Sequence, residues 1–150
     1  MEQYILFVVL KDIIKDLSDN KYAVTFNDMD FNKPNSIGVY IKGGEVSQYR
    51  EISTGNYYNY INRVQLVLQG DRTSESLVSL LKLATRIRSY MVLLSNASLD
   101  VPENKNIEEQ GQKIQFGLVK LLGEVNFNNK TSQGLPVYSI NFKFQYTIRR

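Results

Sequence analysis

Residues 138 to 148 constrain this chain more than any other stretch. Tyr138, Ile140, Phe142, Phe144, Tyr146 and Ile148 alternate without a break with Ser139, Asn141, Lys143, Gln145 and Thr147. Successive side chains of a strand point to opposite faces, so this pattern predicts one strand with an apolar and a polar face. A slip of one residue would expose all six large side chains, and the register is therefore strongly specified.

A strand of that kind needs a partner layer. Residues 3 to 18 place Leu6, Val9, Leu10, Ile13, Ile14 and Leu17 at helical spacing, with Lys11, Asp12, Lys15 and Asp16 between them. Ser18-Asp19-Asn20 should stop this helix. A second helix is expected after Gly70-Asp71-Arg72-Thr73-Ser74, with Thr73 or Ser74 as its cap and Glu75 near its positive end. Its apolar stripe would be Leu77, Leu80, Leu81, Ala84, Ile87, Met91 and Leu94.

Between the helices, Tyr22, Val24 and Phe26 alternate as a half-buried strand, followed by a polar loop from Asn27 to Ser36. Ile37, Val39 and Ile41 predict another strand, ending at Gly43-Gly44. Residues 60 to 69 form a central strand, with Tyr60, Asn62, Val64, Leu66 and Leu68 on one face. Ile114 to Leu122 reads as a strand, with Gly123 bending it before Val125 and Phe127. Asn128 to Gly134 has turn composition, and no internal repeat is visible. The order is α-β-β-β-α-β-β, with the last two strands able to pair as a hairpin. The expected fold is α+β: one domain over residues 1–150, a mostly antiparallel sheet of about five strands with two helices packed on one face.

Two polar segments remain, 43–59 and 95–112. Read as loops they are long for a compact domain, which points to a binding role. The first carries Tyr49, Tyr57, Tyr58 and Tyr60 at or near it. Tyrosine buries a large rigid surface at low entropy cost, so these four are the candidate subunit-interface residues. With Arg50 and Arg63 nearby they could instead stack on single-stranded nucleic acid.

Composition narrows the chemistry. The chain of 150 residues has neither cysteine nor histidine. That removes disulfides, thiolate and imidazole metal sites, and nucleophile–histidine hydrolysis. Asp28-Met29-Asp30 opens like a calcium loop, but Lys33 and Val39 stand where an EF-hand needs glycine and glutamate. Gly70 to Ser74 lacks the spacing of a phosphate loop. Glu108 and Glu109 are adjacent and should diverge into solvent. No catalytic, cofactor or metal residues are assigned, and an enzyme is not expected.

The net charge of +3 is mild. Its distribution is not: residues 1–75 hold 8 basic and 10 acidic side chains, residues 76–150 hold 10 and 5, balances of −2 and +5. Opposite halves suit a subunit with two different partner faces. The apolar run Tyr4 to Leu10 is too short to span a bilayer and lacks a basic lead, so neither membrane insertion nor export is expected.

Several segments together resemble a known family: Pro-Asn-Ser-Ile-Gly-Val-Tyr-Ile at 34–41 running into Gly43-Gly44, Val-Gln-Leu-Val-Leu-Gln-Gly at 64–70, the helix bearing Ala84 and Ile87, and Tyr-Ser-Ile-Asn-Phe at 138–142. The chain is similar to the tail terminators of long-tailed bacteriophages, also called minor capsid or head-tail joining proteins. The resemblance spans nearly the whole chain and includes no catalytic signature. It implies a structural virion subunit, found in the host cytoplasm during assembly, that forms a homo-oligomeric ring, typically hexameric. The ring would stop growth of the tail tube and join it to the head connector or a portal-associated protein, with no membrane, no cofactor and no specific nucleic acid. Alternative readings are a neck or connector ring protein of a short-tailed phage, or a small nucleic-acid-binding accessory domain using the tyrosines and the basic second helix, which would bind in a salt-dependent way.

Overall fold

A computed structural model describes residues 1–51 and 55–149, with side chains described for 1–46 and 58–149. Its elements run α1 (Glu2–Leu17), β1 (Ala23–Phe26), β2 (Ser36–Glu51), β3 (Gly55–Gln69), α2 (Ser76–Val92), β4 (Ser98–Asp100), β5 (Lys113–Leu121), β6 (Asn126–Lys130) and β7 (Pro136–Arg149). The strands form one sheet in the order β1-β2-β3-β7-β5-β4, and β6 also pairs with β7.

The α+β class holds, but the sheet has seven described strands and is mixed. β1 runs parallel to β2, while all other pairings are antiparallel. A parallel neighbour normally needs a crossover of a dozen or more residues. Here a loop over residues 27–35 suffices, helped by Asn27 (φ 53) and Asn35 (φ 55) turning the chain left-handed at its two ends. Such φ values suit asparagine better than most residues.

β7 is central, as its alternation implies. Its one edge pairs with β3 from Asn59↔Thr147 to Gln69↔Val137. Its other edge is shared end to end: β5 takes residues 142–149 and β6 takes 136–139. The expected hairpin at the end of the chain is therefore present in two parts. The stretch 128–134 read as a turn is strand up to Lys130, and only Thr131 to Gly134 makes the turn. Every β6 residue is exposed, so no burial pattern marked it.

Both helices lie on one face of the sheet, as expected. Ile5 to Leu10 are all buried, deeper than an amphipathic stripe requires, and Ile14 joins them. Leu80, Ala84, Ile87, Met91 and Leu94 share that core with Ile37, Val39, Val64, Leu66, Leu68, Ile140, Phe142, Phe144 and Tyr146. Ser18, Asp19 (φ 53) and Asn20 (φ 57) end α1. Two details of α2 depart from expectation. Its N-cap residue is Glu75, with no side-chain cap from Thr73 or Ser74. Leu77 and Leu81 are exposed, and Leu83 takes the place in the core that they were expected to fill.

The largest departure is at 43–59, read as a loop. Residues 43–51 continue β2 and 55–59 begin β3, so the segment is a two-stranded arm. Residues 95–112 stay mostly irregular, with the short β4 on β5 and with Val101 and Ile107 buried in the core.

Candidate functional site: the arm and the exposed faces

The arm starts at a β-bulge. Lys42 pairs with Arg63 and Glu45 with Ile61, so Gly43 and Gly44 together oppose Asn62. A Cβ on Gly44 would stand 1.8 Å from the Ile61 carbonyl oxygen, a contact only glycine avoids. Asn62 anchors the bulge by donating from Nδ2 to the Lys42 carbonyl at 3.1 Å. β3 leaves β7 at Asn59, so residues 55–58 pair with β2 alone among the described residues.

Of the four candidate tyrosines, Tyr60 is at the base of the arm and half-buried, its ring 5.5 Å from that of Tyr146. Tyr58 stands one step further out, 49% exposed, with its ring 6.2 Å from Tyr60. Tyr49 and Tyr57 are paired across the arm by their backbones, and their side chains lie outside the described residues. Burial, then the Glu2 carboxylate and Tyr58, pushes the Tyr60 phenol above the ordinary tyrosine value. Tyr58, Tyr60 and Tyr146 thus form a series of neighbouring rings that runs from the core to the base of the arm.

α2 adds a second exposed apolar strip. Leu77 and Leu81 are one helical turn apart, and Val78 beside them is 57% exposed. Sequence reasoning assigned the first two to the core, because an apolar stripe marks a buried face without saying what buries it.

The sheet face opposite the helices carries a third surface. Met29, Val67 and Val137 form a small separate cluster there with Tyr40, beside exposed Phe31. Next to it, Lys42 and Arg63 line a groove with Gln65, Leu122 and Asn141.

Asp28 to Asp30 and Gly70 to Ser74 lie in hydrogen-bonded turns. Asp28 Oδ1 accepts from its neighbour Met29 N at 2.8 Å, and Asp30 Oδ1 accepts from Asn32 N at 2.9 Å. In the turn before α2, Asp71 N donates to Ser76 Oγ and Thr73 N donates to Asp71 Oδ1. Those amides are thus engaged within the turn. The hydrogen bonds from Thr73 hold the Asp71 carboxyl below its ordinary range, opposed by burial and helped least by Ser76. Glu108 and Glu109 are exposed as expected, yet they do not diverge into separate surroundings: both line one groove with Glu2, Tyr60 and Gln112. Among the described residues no group of three carboxylates is placed to hold a metal ion. No described helix is long and apolar enough to cross a membrane.

No protein-family model matches the chain, and no curated protein matches it in sequence. Among solved structures it is similar to a chain in the virion of a native gene transfer agent (GTA) particle. That similarity has a TM-score of 0.47 at 7% identity and covers 90% of this chain and 84% of the other. At that level it is a loose likeness of shape.

Proposed function

We propose that this chain is a structural virion protein: a subunit of a closed ring, a hexamer, that ends a phage tail tube and joins it to the head connector, without catalytic turnover. The reading builds on the sequence resemblance to tail terminators. The observation that carries it is the β2–β3 arm, which runs on from a glycine bulge past the end of β3's pairing with β7 at Asn59 and presents Tyr58 half exposed.

An isolated domain gains little from such an arm, because ordering it costs roughly 1–2 kcal/mol of backbone entropy per residue and a two-stranded ribbon is at best marginally stable by itself. Docked on a neighbour, its aromatic surface is covered and that cost is offset. One heterologous contact repeated around an axis closes a ring in which every subunit is satisfied. The exposed strip Leu77, Val78 and Leu81 on α2 is an apolar surface that a neighbour's arm could cover. In this reading the chain resides in the virion neck, and in the host cytoplasm before assembly.

Cryo-electron microscopy of the assembled tail-to-head junction tests the proposal. The expected result is a ring of copies of this chain, each arm lying on the next copy. A single copy at that junction, or absence from the particle, would overturn it.

A further inference from the structure

The sheet face turned away from the helices carries a row of cations that no single stretch of sequence reveals. Lys42 on β2 is the register partner of Arg63 on β3, Arg63 that of Lys143 on β7, and Lys143 that of Lys120 on β5. Four strands in succession thus place a basic residue at one level. Each sits next to an inward, buried neighbour (Ile41, Val64, Phe142 and Val119 respectively), so all four are on the outer face. Lys42, Arg63 and Lys120 are exposed and Lys143 partly so. Among the described residues none of the four is in an ion pair.

Like charges directly opposite one another in a sheet are destabilising. A row of four such neighbours is therefore a standing cost to the folded chain unless an anion lies across it. Adjacent strands are about 4.8 Å apart, so the row puts four positive charges along about 14 Å. An acidic helix offers carboxylates on one face only every 3 or 4 residues, about 5–6 Å apart, or two to three over that length. Duplex DNA carries one charge per about 1.7 Å of its axis, roughly eight over the same length, and can match the row without conformational change. Beside the row, Gln65 and Asn141 supply amide donors suited to phosphate oxygens. Tyr40 stands level with Gln65 and Asn141 beside the row, a single ring there and not the succession of rings on which the bases of an unpaired strand stack, so the surface fits a duplex backbone better than a single-strand platform.

We propose that the Lys42–Arg63–Lys143–Lys120 row binds the phosphate backbone of duplex DNA without reading its sequence. The contact is distinct from the tyrosines of the arm and does not require the ring.

The test is fluorescence anisotropy of a labelled 30-base-pair duplex, titrated with the full chain over a range of salt concentrations. Four phosphates neutralised should give a slope of log affinity on log salt of about −3.6. The variant K42Q/R63Q/K120Q/K143Q should lose at least tenfold in affinity at low salt, with a slope near zero. A control removing the same charge elsewhere, K15Q/K21Q/K82Q/K105Q, should stay within about threefold of the parent. If the fourfold variant does not fold, K42Q and R63Q singly decide the matter, each reducing the slope by about 1. Equal losses in the sheet-face and control variants would show a mere net-charge effect and overturn the proposal. So would a failure of the parent to bind duplex at low salt, or its binding polyglutamate more tightly than duplex, which would assign the row to an acidic protein.

Discussion

The Tyr146 hydroxyl on β7 donates to Asn62 Oδ1 on β3, and Asn62 in turn donates to the Lys42 carbonyl beside the bulge. Both side chains are buried, so one polar chain links the centre of the core to the root of the arm. Asn62→Leu leaves a buried phenol and a carbonyl without these partners and should cost about 1–3 kcal/mol. Tyr146→Phe removes one hydrogen bond while keeping the ring, and should cost about 1 kcal/mol. Urea denaturation of the two variants checks the order; a larger loss for Tyr146→Phe would contradict it.

Alkaline pH should weaken the fold through the same phenol. Burial, with help from Glu2 and Tyr60, holds the Tyr146 phenol well above the ordinary tyrosine range. In the unfolded chain it ionises near pH 10, while the folded protein keeps the proton. The folded state then binds more protons, so stability is intact below about pH 10 and falls as pH rises further, by up to about 1.4 kcal/mol per pH unit from this group. Tyr22, Tyr40 and Tyr60 are raised in the same direction. Tyr146→Phe should make the decline between pH 10 and 11.5 shallower without abolishing it, as read from urea midpoints.

Phe142 and Phe144 are fully buried on either side of Lys143. Phe142→Ala or Phe144→Ala should each cost about 3–5 kcal/mol through lost burial and a residual cavity. Lys143→Ala leaves the core intact and relieves the repulsion from Arg63 and Lys120, so it should not destabilise the fold and should stabilise it by up to about 1 kcal/mol. Similar small shifts for all three would place the helices on the wrong face of β7.

Gly44→Ala should dislodge the arm. The clash is with the backbone of Ile61, which cannot rotate away, so the bulge must reopen or the arm must change register. A global loss of more than about 1 kcal/mol is expected. Hydrogen exchange should show faster exchange of the amides of residues 45–51 and 55–61 than of those of β7. Unchanged protection along the arm would show that the bulge tolerates a side chain.

How far these features could be read from the sequence follows from burial. β7 was legible because each of its inward residues meets the core, so the demands of packing are written in an unbroken period of two. The arm was not, because a two-stranded ribbon outside the core has no face to hide and its alternation carries no hydrophobic signal. Gly43-Gly44 marked where regular pairing is interrupted, and was read as a strand end when it is a bulge. Tyr58 and Tyr60 stand out in the sequence through residue type alone. The cation row was out of reach: Arg63 and Lys143 could each be placed on an outer face, but only the register across four strands brings them level with Lys42 and Lys120.

The sheet order has a consequence for how the chain is made. β7 is translated last of the described strands yet is inserted between β3 and β5, joining a half built from earlier residues to another built from later ones. Until it emerges from the ribosome, the inner edge of β3 has no partner, and the apolar faces of both helices lack the ring-rich strip of Tyr138, Phe142, Phe144 and Tyr146. A nascent chain therefore carries a long open strand edge on β3 until β7 has been made. An unpaired edge of that length is open to pairing with other chains, so the order in which the strands are made exposes this fold to misassembly during synthesis.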